Sequence, residues 1–188
     1  PELKYIAVLE KEPCFHYHLV MNGIEGMKKK DWFDRNKLLL MDRTARQHPE
    51  MTHVAWVDMD VLRHPICPEA MPDFSHLMDR HVHIATVEGI PDCSFIIAPT
   101  WAVSRLAAEV LDRTQLDMEL DHHMSIKSLL LHLKTKYPDM IHFHPMKKKN
   151  LLFLTGFAPE FRDQRYNSLL ETKTENVSET VQGKEIKL

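Results

Sequence analysis

Glycine is scarce in this chain, with 5 among 188 residues, and none stands in a GxGxxG or GxxxxGK[ST] run. That removes the usual dinucleotide-binding and P-loop readings, which need glycine where backbone must approach a phosphate. Cysteine is nearly absent as well. Cys14, Cys67 and Cys93 are far apart and odd in number, so neither a disulfide framework nor a cysteine-based zinc site is expected, and a reducing compartment fits best. No long apolar run occurs: Tyr5 to Leu9 is too short for a signal-peptide core, and nothing later approaches the roughly 20 apolar residues of a membrane span. A soluble, cytoplasmic protein with no membrane span is expected. Positive charge is not in excess either. Lys plus Arg number 24 against 27 Asp plus Glu, a net charge of −3, which argues against a nucleic-acid or anionic-lipid partner and for a small or neutral one.

What is present is an alternation of strand and helix patterns. "KYIAVLE" (4–10) reads as a first strand and "DRNKLLLMDRTARQHP" (34–49) as a helix stopped by Pro49. Val54 to Val57 reads as a buried strand, 81–87 alternates like a strand, and 93–99 reads as a buried one. Helical spacing follows from Thr100, a candidate N-cap, and again in a helix opening near Asp121. Residues 141–144 and 151–154 read as two short strands. Such alternation predicts an α/β protein with a mostly parallel central sheet flanked by helices. Length and composition predict one domain over 1–165. The polar stretch 166–188 reads as a weakly packed arm or a linker to further domains C-terminal to it, and the start at Pro1 is the pattern of a processed or excised piece.

The chemistry concentrates in "HVAWVDMDVLRHP" (53–65). Two aspartates one residue apart, at the end of a hydrophobic strand, can hold a hard divalent cation that keeps positions open for phosphate oxygens. The same pair also fits a solvated turn in which one Asp caps the following segment. The stretch "DWFDRNKLLLMDRTARQHPEMTHVAWVDMDVLRHP" resembles nucleotide-sugar glycosyltransferases of the GT-A fold, a Rossmann-related sheet in which a basic helix leads into a strand ending in D-x-D. The order of "PDCSFIIAPTWAVSRLAAEVL", "ELDHHMSIKSLLLHL" and "IHFHPMKKK" extends the resemblance over about 4–155.

The resemblance implies a UDP-sugar donor, a glycan or other hydroxyl acceptor, and Mn²⁺ or Mg²⁺ held by Asp58 and Asp60, with Asp60 the direct ligand and Asp58 reaching the ribose or the metal. It implies a further metal ligand at His142, with His144 competing because the two share a face, and it favours retention of configuration slightly. Lys148, with Lys147 and Lys149, matches a cationic position beside the leaving diphosphate, though a charge run also suits a solvated turn. Arg35 and Lys37 match donor-contacting positions, or an exposed helix face. Val8 to Glu10, closing the first strand, would lie under the base. Asp121 is the candidate for acceptor activation, or a plain helix cap, with Asp92 second. The 13 histidines include the alternating pairs His81/His83 and His142/His144; without a C-x-x-C or H-E-x-x-H spacing, a structural zinc is not expected.

Two other readings stand beside this one. "VAWVDMDVL" also fits the opening of haloacid-dehalogenase-like phosphatases, with Asp58 as nucleophile; the other is a non-catalytic nucleotide-sugar binding module.

Overall fold

In the computed structural model, residues 29–58, 72–120, 124–162 and 164–171 are described. Helix α1 (Lys29–Gln47) leads to strand β1 (His53–Val57), then β2 (Val82–Val87), β3 (Ile90–Pro99), helix α2 (Thr100–Glu119), helix α3 (Ile126–Lys136), β4 (Ile141–Met146), the short helix α4 (Leu151–Leu154) and helix α5 (Gln164–Glu171). The class is α/β, as the alternation predicts. No helix among the described residues is long and apolar enough to cross a membrane.

The sheet is mixed rather than mostly parallel. Its order is β1-β3-β2-β4; β3 runs antiparallel to both neighbours, and only β2 with β4 is a parallel pair. The reason is local. Only Glu88 and Gly89 separate β2 from β3, and both take positive φ, 54° and 77°, the conformation of a tight two-residue hairpin whose twist suits antiparallel strands. A parallel connection needs a crossover of a dozen residues or more. The consequence is that β1, β2 and β4 all point one way, and their carboxyl ends share one edge of the molecule.

Two apolar clusters hold the layers together. On one face Val82, Ile84, Ile96, Ala98 and Ile141 pack against Leu38, Val103, Leu106, Leu130 and Leu133 of α1 to α3. On the other, Ala85, Phe95 and Ile97 meet Phe74, Leu77 and all four residues of α4. The run 151–154 is therefore a helix, not a strand: all four side chains are buried together, which a short apolar run achieves in either conformation.

Smaller corrections have equally local causes. Helix α1 opens at Lys29, five residues before the expected start. Thr100 is the first residue of α2, with Pro99 in the cap position, and its N–H donates to Thr52 O. Helix α3 opens at Ile126, capped by the Ser125 side chain accepting from Ser128 N–H. Strand β1 is half-buried rather than buried, being an outer strand among the described residues. Residues 4–10 and 121 lie outside the described residues, and α5 covers the beginning of the stretch read as an arm.

Gly156 sits against the aromatic centre of the second cluster. A Cβ there would stand 2.2 Å from Cε1 of Phe74, whose ring packs on Phe95 and Phe153 at centroid distances of 5.0 and 5.7 Å. Gly156→Ala should therefore cost about 1–3 kcal/mol by overpacking. Urea unfolding would show it, and Phe74→Leu in the same background should recover part of the loss; an unchanged midpoint would mean that the ring has room to move.

Candidate functional site

Asp58 directly follows β1, at the edge where the parallel-pointing strands finish. Its backbone N–H donates to Ser94 O at 2.8 Å. Its carboxylate takes Lys37 Nζ on Oδ2 at 2.8 Å and the Trp56 indole N–H on Oδ1 at 2.6 Å. Lys37 is buried on the inner face of α1 and also reaches Asp34 Oδ1 at 2.8 Å and Cys93 O at 3.1 Å. Burial works against its charge, but the bonds to Asp34 and Asp58 outweigh it and raise the ammonium above its ordinary pKa. Among the described residues the junction sets two carboxylates against one ammonium; Asp34 is almost closed off and Asp58 is 26% exposed, so Asp58 is the carboxylate that meets solvent.

The junction lies beside an irregularity in β3. The register jumps from Ile84 opposite Ile96 to Ala85 opposite Asp92, leaving Cys93 to Phe95 without a register partner on β2; bulges of this kind re-aim side chains near sites. Asp92, buried, accepts from Ser94 Oγ at 2.8 Å, Ser94 N–H at 3.3 Å and Asn150 N–H at 3.2 Å. It thereby ties the turn after β4, carrying exposed Lys147, Lys148 and Lys149, to the strand that pairs with Asp58. Beside the end of β4 a cavity of about 300 Å³ is lined by Lys147, Arg162, Thr155, Met146 and Leu170, among others. Burial pushes the Cys93 thiol up to about 12, so it behaves as a small apolar group.

Asp58 and Lys37 on the helix-covered face, and Asp92, which lies opposite Ala85 of the other face and holds the Lys148 turn, thus lie at the same carboxyl end of the sheet. Arg35 does not join them. It is fully buried, donates to Thr114 Oγ1 at 2.8 Å, to Asp117 and to Met124 O, and clamps α1 to α2 and to the entry of α3. Neither Arg35 nor Lys37 lies on an exposed helix face. Val8, Glu10, Asp60 and Asp121 lie outside the described residues.

His142 and His144 belong elsewhere. Asp58 is held by Lys37 and Trp56 on the face covered by α1 to α3, whereas strand alternation from Phe143, which packs on that face, turns both histidines to the other. There His142 lies opposite His83 in the parallel register, and its ring stacks on His144 at 4.5 Å between centroids. His83 Nδ1 is 2.8 Å from His144 Nε2, and its Nε2 is 2.8 Å from Asp79 Oδ1; Asp79 Oδ2 meets His81 Nδ1 at 2.9 Å. Asp79 is the member that the sequence reading missed. The signal was there: D-x-H-x-H at a two-residue step entering a strand places three donors on one side.

The array disfavours protons at its inner end. Burial, then the neighbouring His142 and His83, bring His144 down to about 4, and burial lowers His83 despite its bond to Asp79. Burial acts against the Asp79 carboxylate, yet its bonds from His81 and His83 hold it well below the usual range. With the histidines depressed from 6.5, the unfolded chain binds more protons than the folded one between about pH 6.5 and pH 4, so stability falls as pH drops through that window. The urea midpoint of EDTA-treated protein should accordingly be lower at pH 5 than at pH 7, and His144→Gln should flatten the difference. An undiminished drop in the variant would remove His144 as its source.

No family model, no curated protein and no solved structure matches this chain.

Proposed function

We propose that this chain is a metal-dependent glycosyltransferase that moves a sugar from a nucleoside-diphosphate sugar, in the first instance a UDP-sugar, to a glycan or other hydroxyl acceptor. The observation that carries the reading is the junction at the carboxyl end of the sheet: the backbone of Asp58, the first aspartate of "DMD", is joined through Ser94 and Asp92 to the lysine-bearing turn after β4. Crevices outside the carboxyl ends of strands are where open α/β sheets bind ligands, and the resemblance around "WVDMDV" supplies the chemistry.

In this reading each described residue has a physical task. Lys37 and Trp56 fix the orientation of Asp58 and leave one lone pair on each carboxylate oxygen for a ribose hydroxyl or a cation. Oxygen donors of this kind suit Mn²⁺ or Mg²⁺, and the solvent-facing carboxylate of Asp58 agrees with a cation; by the resemblance, direct coordination would fall to Asp60. When bound, the ion supplies charge neutralisation to the leaving diphosphate. Lys147 to Lys149 act in the same direction, stabilising charge that grows as the glycosidic bond breaks. Asp92, occupied by three donors, positions the turn that bears them.

Calorimetric titration of UDP with and without Mn²⁺ tests the proposal. Metal-dependent binding is expected, weakened tenfold or more by Asp60→Ala, about 1.4 kcal/mol, and severalfold by Lys148→Ala, with slow release of UDP from a UDP-sugar by the wild type. Failure of UDP to bind in either condition, together with hydrolysis of a generic phosphate ester through a phosphorylated Asp58, overturns it in favour of a phosphatase. Metal-dependent binding with no turnover of any UDP-sugar leaves a binding module instead of an enzyme.

A further inference from the structure

The segment that enters β2 presents a donor at every second residue. Along extended chain alternate side chains share a side, and one ligand atom each from Asp79, His81 and His83 lie within 4.8 Å of one another. The carboxylate oxygens stand 2.9 Å from His81 Nδ1 and 2.8 Å from His83 Nε2. Bonds from zinc to nitrogen and oxygen run about 2.0–2.2 Å, which places tetrahedral neighbours about 3.3–3.5 Å apart. The two contacts use different oxygens of the one carboxylate, so an ion would enter by opening them about half an ångström while the donor atoms, within 4.8 Å of one another, draw in to that spacing. The side chain best able to move is Asp79, 49% exposed, while His83, 4% exposed, is fixed by the strand.

We propose that Asp79, His81 and His83 form a binding site for a divalent first-row transition ion, with zinc the preferred occupant. Two imidazoles and a carboxylate are a borderline donor set, which suits zinc better than the hard ions that oxygen-only sites take. The fourth position has a candidate in His142, whose ring centroid is 6.0 Å from that of His81 and 5.6 Å from that of His83. The outer support is also in place. With His83 Nε2 turned to the ion, the ring proton resides on Nδ1 and is donated to His144 Nε2 at 2.8 Å, the kind of second hydrogen bond that orients metal-bound histidines. Each of the two imidazoles keeps its single proton and changes only which nitrogen carries it. The site lies on the sheet face opposite the Asp58 carboxylate, so it does not depend on the glycosyltransferase reading.

The test is titration of the EDTA-stripped full chain with Co²⁺, followed by visible absorption, and then with Zn²⁺ against a chromophoric chelator. One equivalent is expected, with the intense bands of four-coordinate cobalt, displaced by Zn²⁺ and untouched by excess Mg²⁺. Asp79→Asn with His81→Gln should weaken binding at least tenfold, whereas His132→Gln, at an exposed histidine of α3, should leave it unchanged. His81→Gln alone gives the same comparison should the double variant lose its fold. Absence of binding, or equal binding in wild type and the His81 variants, overturns the proposal, the latter outcome meaning only diffuse association with a histidine-rich surface.

Discussion

The buried ammonium of Lys37 is the constraint on which the carboxyl end of this molecule depends. One nitrogen meets Asp34 on its own helix, Asp58 at the end of β1 and the carbonyl of Cys93 in the β3 bulge. Three pieces of chain distant in sequence are thereby brought to one point. A buried charge is costly unless satisfied, and here each of these three contacts is to oxygen. The arrangement is therefore strict about geometry: moving α1 by a turn would strand the charge, so the helix, the edge strand and the bulge are locked in a single register.

The sheet separates two kinds of chemistry. At the carboxyl end, on the helix-covered side, the donors are the carboxylates of Asp34 and Asp58 and the cation is Lys37. On the other face, at the amino end of β2 and β4, the donors are imidazoles with a single carboxylate. The hairpin and the parallel β2–β4 pair produce that separation. Because β3 alone among the described strands runs backwards, three strands deliver their ends to one edge, and because side chains alternate, Phe143 and the histidines flanking it are divided between the two faces.

Much of the fold was legible in the sequence where periodicity was long. The helices over 100–119 and 126–136 and the strand over 82–87 are close to the pattern readings. The failures have definite causes. Residues 151–154 are apolar throughout, so period could not separate helix from strand. The parallel expectation overlooked how few residues lie between Val87 and Ile90, too few for any crossover. At the site, Asp58 was legible because it ends a strand, and the convergence of Asp92 was half legible as a second candidate. The burial of Arg35 and Lys37 was not: charged residues are read as exposed by default, and it is partners scattered along the chain, among them Thr114, Asp117 and Met124 for Arg35 and Asp34, Asp58 and Cys93 for Lys37, that make their burial tolerable.

The Glu88–Gly89 turn has a bearing on how the chain assembles. Loop closure costs entropy that rises with the length closed, and among the described strands the β2–β3 pairing closes the shortest loop. These two strands are also the inner two of the four described. The ribbon they form is the part of the sheet whose pairing closes over local sequence, whereas β1 and β4 pair with it across far longer stretches of chain. Both chemically distinctive regions depend on those longer pairings, Asp58 on β1 and the stacked imidazoles on β4, so neither is present in the β2–β3 ribbon by itself.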